Sequence, residues 1–81
     1  MNTEELIEKA KEFCAREYVD TKVCYNQKAH RFYHDESMVK MGLQRCLGVV
    51  QFIQSCGVQF EDTEWYENYR ERFFEILENN S

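Results

Sequence analysis

The chain contains no proline and only three glycines among its 81 residues. Without proline there is no stiff extended linker, and with so few turn formers the densely turned strands of an all-β sandwich or barrel are excluded. The first glycine is Gly42, so half the chain passes without the residue that tight hairpin turns demand. Long apolar runs are also missing. The longest uncharged stretch, Cys46 to Phe60, is 15 residues and includes Gln51, Gln54, Ser55 and Gln59, whereas a membrane-spanning helix needs about 20 largely apolar residues; no membrane role is expected. No C-x-x-C, H-E-x-x-H or glycine-rich phosphate loop occurs, which removes the chemistry those patterns build.

The amino-terminal residues place Glu4 and Glu5 where an export signal would have basic and then apolar residues, so a cytoplasmic location is expected. In a reducing compartment Cys14, Cys24, Cys46 and Cys56 are expected to be free thiols. Cys14, Cys46 and Cys56 read as small core residues and Cys24 as an exposed one.

What the chain does have is charge and bulk. Charged residues make up 31% of it, and it carries one Trp, five Tyr and six Phe. A domain of this size withdraws only about two thirds of its unfolded surface from water. Its thin core therefore depends on aromatic anchors, each able to bury roughly 150 to 250 Å². Residues 1–81 are expected to form a single all-α domain, a small four-helix bundle with a central apolar third helix.

The first helix is expected near 3–18. Asn2 and Glu5 have capping-box spacing, and Leu6, Ile7, Ala10, Phe13, Cys14 and Tyr18 make an apolar stripe. From Tyr25 onward a seven-residue repeat takes over, through Ala29, Phe32, Val39, Leu43, Cys46, Val50 and Ile53, broken only by Glu36. An unbroken helix from Asp20 to Cys56 would be about 54 Å long, against a radius of gyration near 12 Å for a compact chain of this length. A break is therefore placed at His34-Asp35-Glu36-Ser37, giving helices near 21–34 and 37–56. Val19, Thr21, Val23 and Tyr25 also alternate like a strand, so the alternative is an α+β fold with a β-hairpin at about 19–34. Gly42, beside the seam, suits a close backbone approach, and Gly57 suits the residue that ends the helix, with Val58 as its hydrophobic partner. Asp62 or Thr63 is expected to cap a last helix near 63–78, whose aromatic face is Trp65, Tyr66, Tyr69 and Phe73 with Ile76 and Leu77.

Charge is unevenly spread: net −3 over residues 1–20, +3 over 21–60 and −5 over 61–81. In the middle, Lys22, Lys28 and Arg31 alternate with Tyr25, Phe32 and Tyr33, and these six are the candidate partner-binding residues. Basic groups among aromatics can hold phosphates and stack on unpaired bases, yet the sequence pI is about 5.0, the opposite of the basic balance usual in nucleic-acid binders. His30 and His34 stand at helical i,i+4 spacing and could share a metal with Cys24 or Asp35, but the set falls short of the four ligands a structural zinc normally takes. The many carboxylates fall on outer helix faces where no cleft would perturb them.

Neither an enzyme nor a cofactor or small-molecule substrate is expected. The function expected is a non-catalytic cytosolic protein-interaction or regulatory module, self-associating as a homodimer. Two alternatives remain: a nucleic-acid-associated regulator using the segment 22–34, and an acidic decoy that presents Glu61, Asp62, Glu64, Glu67, Glu71, Glu75 and Glu78 to a basic partner.

Overall fold

The computed structural model of the protein describes residues 2–26 and 36–79. These form α1 (Thr3–Asn26), α2 (Glu36–Ser55), a short 3-10 turn (Phe60–Thr63) and α3 (Tyr66–Asn79). The all-α class holds, with three helices in place of the four expected, and the described residues contain no strand. No helix among them is long and apolar enough to cross a membrane.

The difference in count lies at residues 18–21. Where a first helix was expected to end near 18 and a second to start at 21, α1 continues without interruption through Val19 and Asp20 to Asn26. Asp20 sits exposed inside the helix and does not cap one. The reason is in the side chains: Ala10, Cys14, Thr21 and Tyr25 are all buried, while Val19 and Val23 are exposed. One helical stripe thus runs the length of α1, and the apparent strand alternation at 19–25 has no second face to cover. The hairpin reading fails over Val19–Asn26, and the rest of that segment, including Ala29, Phe32 and the expected helix to residue 34, lies outside the described residues.

At its start α1 is capped as its sequence demands. Asn2 Oδ1 accepts from the Glu5 backbone N–H at 2.8 Å, which caps the helix, and Glu5 Oε1 accepts from the Asn2 side-chain Nδ2 at 3.3 Å in place of the backbone N–H of a full capping box. Of the expected break at His34-Asp35-Glu36-Ser37, only Glu36 and Ser37 are described, and both lie inside α2. α2 begins at Glu36, whose carboxylate stands in the helix's first turn and pairs with Lys40 at 2.9 Å. The seam on α2 is buried throughout, at Val39, Leu43, Cys46, Val50 and Ile53.

α2 ends on Gly57, the one glycine with positive φ among the described residues, at 106°. Val58 N–H donates to Ile53 C=O and Gly57 N–H to Gln54 C=O, each at 3.1 Å. This is the Schellman closure, and Val58 packs in the same apolar cluster as Ile53. The closure turns Cys56 outward, so the expected core residue is exposed. Gly57→Ala is expected to cost about 1 to 2 kcal/mol because a side chain is strained at that φ; a urea titration followed by circular dichroism measures it.

α1 and α2 run in opposite directions, as successive meetings of Thr21 with Gly42 and Glu17 with Arg45 show. Arg45 donates from Nε and Nη2 to one oxygen of Glu17, both at 3.0 Å, a partly exposed pair worth up to about 1 kcal/mol. α3 returns antiparallel to α2 and closes the core with Phe73, which is fully buried and meets Tyr18 of α1 edge-to-face at 5.7 Å. A smaller cluster of Ala10, Ile53 and Val58 seals the other end, with Trp65 packed against both clusters.

Candidate interaction surface

The three described helices leave a concave side. It lies between α2 and α3, as two adjoining concavities of about 480 and 590 Å³ that share Leu47, Tyr66 and Glu67. One is bounded by Lys40, Arg70 and Phe74, the other by Gln54, Phe60 and Glu64. Together they form a groove with an aromatic ring at each end and an aliphatic and aromatic floor at its centre.

The 3-10 turn sets the shape of one end. The expected cap at Asp62 or Thr63 is absent, because both residues belong to this turn and α3 starts later, at Tyr66. The Thr63 hydroxyl donates to Phe60 C=O at 2.7 Å and accepts from Gln54 Nε2 at 3.0 Å, while Trp65 Nε1–H donates to Asp62 C=O at 2.9 Å. These bonds fasten the turn to α2 and hold Phe60 at the surface, 73% exposed. At the other end Phe74 is 38% exposed, with the Arg70 guanidinium 5.9 Å from its ring. Between them Tyr66 is nearly buried, and burial first, then the neighbouring Cys46, holds its hydroxyl above the ordinary phenol range. Tyr66 is therefore neutral at physiological pH.

Charge on the groove is arranged with Glu67 at the centre, common to both concavities, and groups of opposite sign toward the two ends. Lys40 and Arg70 stand near Phe74, and Glu64 stands near Phe60. Lys40 pairs with Glu36, and Arg70 pairs with Glu67 at 3.4 Å. All four side chains of these pairs are more than half exposed, so each pair contributes only a few tenths of a kcal/mol, roughly, and is free to exchange partners.

Of the residues read from the sequence as partner-binding, two lie within the described chain. Lys22 is exposed on α1, its Nζ 5.9 Å from the Tyr18 ring. Tyr25 is buried at the end of the main core. Lys28, Arg31, Phe32 and Tyr33 fall outside the described residues, as do His30 and His34. Among the described residues no three His, Cys, Asp or Glu side chains gather to hold a metal. Cys24 is exposed, as expected.

Sequence reasoning passed over Phe60 and Phe74. Phe60 lies in a connector with no periodicity to give it a face, and Phe74 stands beside Phe73 but off the buried stripe of α3. Exposed Met41 and Phe52 lie on another side of α2, and single apolar residues of that kind need no partner. No family model matches the chain, and neither a curated protein nor a solved structure matches it.

Proposed function

We propose that this chain is a non-catalytic interaction module that pairs with a second copy of itself through the groove between α2 and α3. The observation that carries the reading is the order of groups along the groove: Lys40, Arg70 and Phe74 at one end, Leu47 and Tyr66 in the middle with Glu67 paired to Arg70, Glu64 and Phe60 at the other. A two-fold axis through Leu47 lays such a surface on its own copy in reverse. Cations then face Glu64, Phe74 faces Phe60, and the apolar centres meet, which is the self-complementarity an isologous dimer requires. Aromatic and arginine groups around the apolar pair Leu47 and Tyr66 are also the composition favoured at contact sites.

Light scattering and sedimentation equilibrium test the proposal. The protein is expected to sediment as a dimer, and Phe60→Asp, at a position too exposed to support the core, is expected to give a monomer with unchanged helicity. Lys40→Glu should weaken pairing, and adding Glu64→Lys in the same chain should restore it, since position 40 of one copy faces position 64 of the other. A protein still monomeric at about millimolar concentration, where association would be weaker than about 4 kcal/mol, overturns the reading. Binding to RNA or DNA that falls steeply with salt would favour the basic segment 22–34 as the working surface instead.

A further inference from the structure

Among the described residues, Glu67 is the charged group at the middle of the groove. Leu47, Tyr66 and Glu67 line both concavities, whereas Arg70 lines only one and Glu64 only the other. Two-fold pairing of the groove puts its axis through this shared centre. On such an axis each residue meets its own counterpart, because any contact of one position with a second is returned by the other copy. Leu47 gains apolar contact from that arrangement, and the nearly buried Tyr66 brings no charge. Glu67 brings a carboxylate to a carboxylate.

We infer, resting on the reading that the groove pairs with a second copy, that Glu67 faces its own counterpart across the axis and sets how tightly the two copies hold. The charges at the start of α3 argue for this register. Glu64 lies just before α3 in helical conformation, and Glu67 and Arg70 follow inside the helix at intervals of three residues. All three line the groove. Laid in reverse on a second copy centred at Glu67, the order minus, minus, plus sets Arg70 against Glu64 on either side and leaves only the centre mismatched.

The mismatch is relieved but not removed. Arg70 Nη1 lies 3.4 Å from Glu67 Oε2 of the same chain, so each central carboxylate arrives with a guanidinium beside it. Both side chains are more than half exposed, and their pair is weak while water surrounds it. Pairing of the grooves expels that water. Repulsion between the two carboxylates then strengthens, as does the attraction of each for its own Arg70. Like charges that face each other penalise one partner relative to another. Glu67 therefore keeps self-pairing loose and exchangeable, and a chain with a neutral or basic group at this place binds the groove more tightly than an identical copy does.

Two variants of the full chain test the inference, both at an exposed position where circular dichroism is expected to show unchanged helicity. Glu67→Gln keeps the shape and removes the charge, and sedimentation equilibrium is expected to show a dimer tighter by about tenfold or more. Glu67→Lys is mixed in equal amounts with the wild-type chain, one of the two carrying a mass label. Native mass spectrometry is expected to count mixed dimers well above the half that random pairing yields. Wild-type dimers that Glu67→Gln leaves unchanged or weakens, or mixed dimers at or below half, overturn the inference while self-pairing of the groove stands. Absence of dimers from all three chains at about millimolar concentration overturns the self-pairing and the inference together.

Discussion

Phe73→Ala is expected to lower folding stability by about 3 to 5 kcal/mol, the range for removing a large buried aromatic. Phe73 is fully buried where the three helices converge. It meets Tyr18 of α1 edge-to-face at 5.7 Å, and its Cε1 lies 3.0 Å from where a Cβ on Gly42 of α2 would stand. The helices around it cannot collapse independently onto the space it leaves. A domain of this length is stable by roughly 4 to 12 kcal/mol, so the substitution removes a large share of the total. Phe74→Ala, one residue along on the open side, is the comparison: its loss should be well under half as large. Urea titrations at matched protein concentration, with unchanged slope, measure both. Reversal of the order would mean that α3 is rotated from its assigned face.

What could be read in the sequence, and what could not, follows from how many independent constraints each residue carries. The seam at Val39, Leu43, Cys46, Val50 and Ile53 was legible because each position repeats the same constraint, and all five are buried. Gly57 and Val58 were legible because a left-handed residue followed by an apolar one has few other uses. Around Thr21 the constraints conflict. Val19, Thr21 and Val23 are β-branched and alternate, which favours a strand locally. The longer stripe from Ala10 through Cys14 and Thr21 to Tyr25 outweighs it, because that stripe buries four side chains against α2 and α3. Helical continuity through Asp20 follows from packing, which a local propensity does not record. The same holds for the 3-10 turn. Thr63 reads as a helix cap, yet its hydroxyl donates to Phe60 C=O and accepts from Gln54, and only the proximity of α2 makes that use available.

The groove was the least legible feature, because it is what remains when the helices have packed. No periodicity marks Phe60, and the ring of Phe74 differs from that of Phe73 only by a rotation of one residue around α3. Its constituents are spread from Lys40 to Phe74, and nothing but the antiparallel return of α3 brings Glu64 to one end and Arg70 to the other. The sequence did indicate that a helical surface would need covering. The identity of that surface depended on whether three helices or four formed, which rests on the continuity of α1.

Gly42 and Gly48, less than two turns apart on one helix, are expected to respond to substitution with opposite signs. A Cβ on Gly42 would stand 2.6 Å from Thr21 Oγ1, closer than real contacts allow, and 3.0 Å from Phe73 Cε1, tighter than most, so something in the α1–α2 or α2–α3 interface must move. Against this, any ordinary residue gains a few tenths to about 1 kcal/mol over glycine in helix propensity. For Gly42→Val, overpacking wins and the expected net loss is about 2 to 3 kcal/mol. Gly42→Ala should lose less, and Thr21→Ala in the same chain should recover part of that loss by removing the nearer atom; the coupling in such a cycle is expected to be about 0.5 to 3 kcal/mol. At Gly48 nothing lies within 4 Å of the new Cβ, so Gly48→Ala keeps the full propensity gain and should stabilise the protein by up to about 1 kcal/mol. Urea midpoints of these variants, with Thr21→Ala alone to complete the cycle, decide the matter. A neutral Gly42→Val would show that α1 and α2 are not held at the distance on which the packing of Thr21 and Phe73 against Gly42 depends.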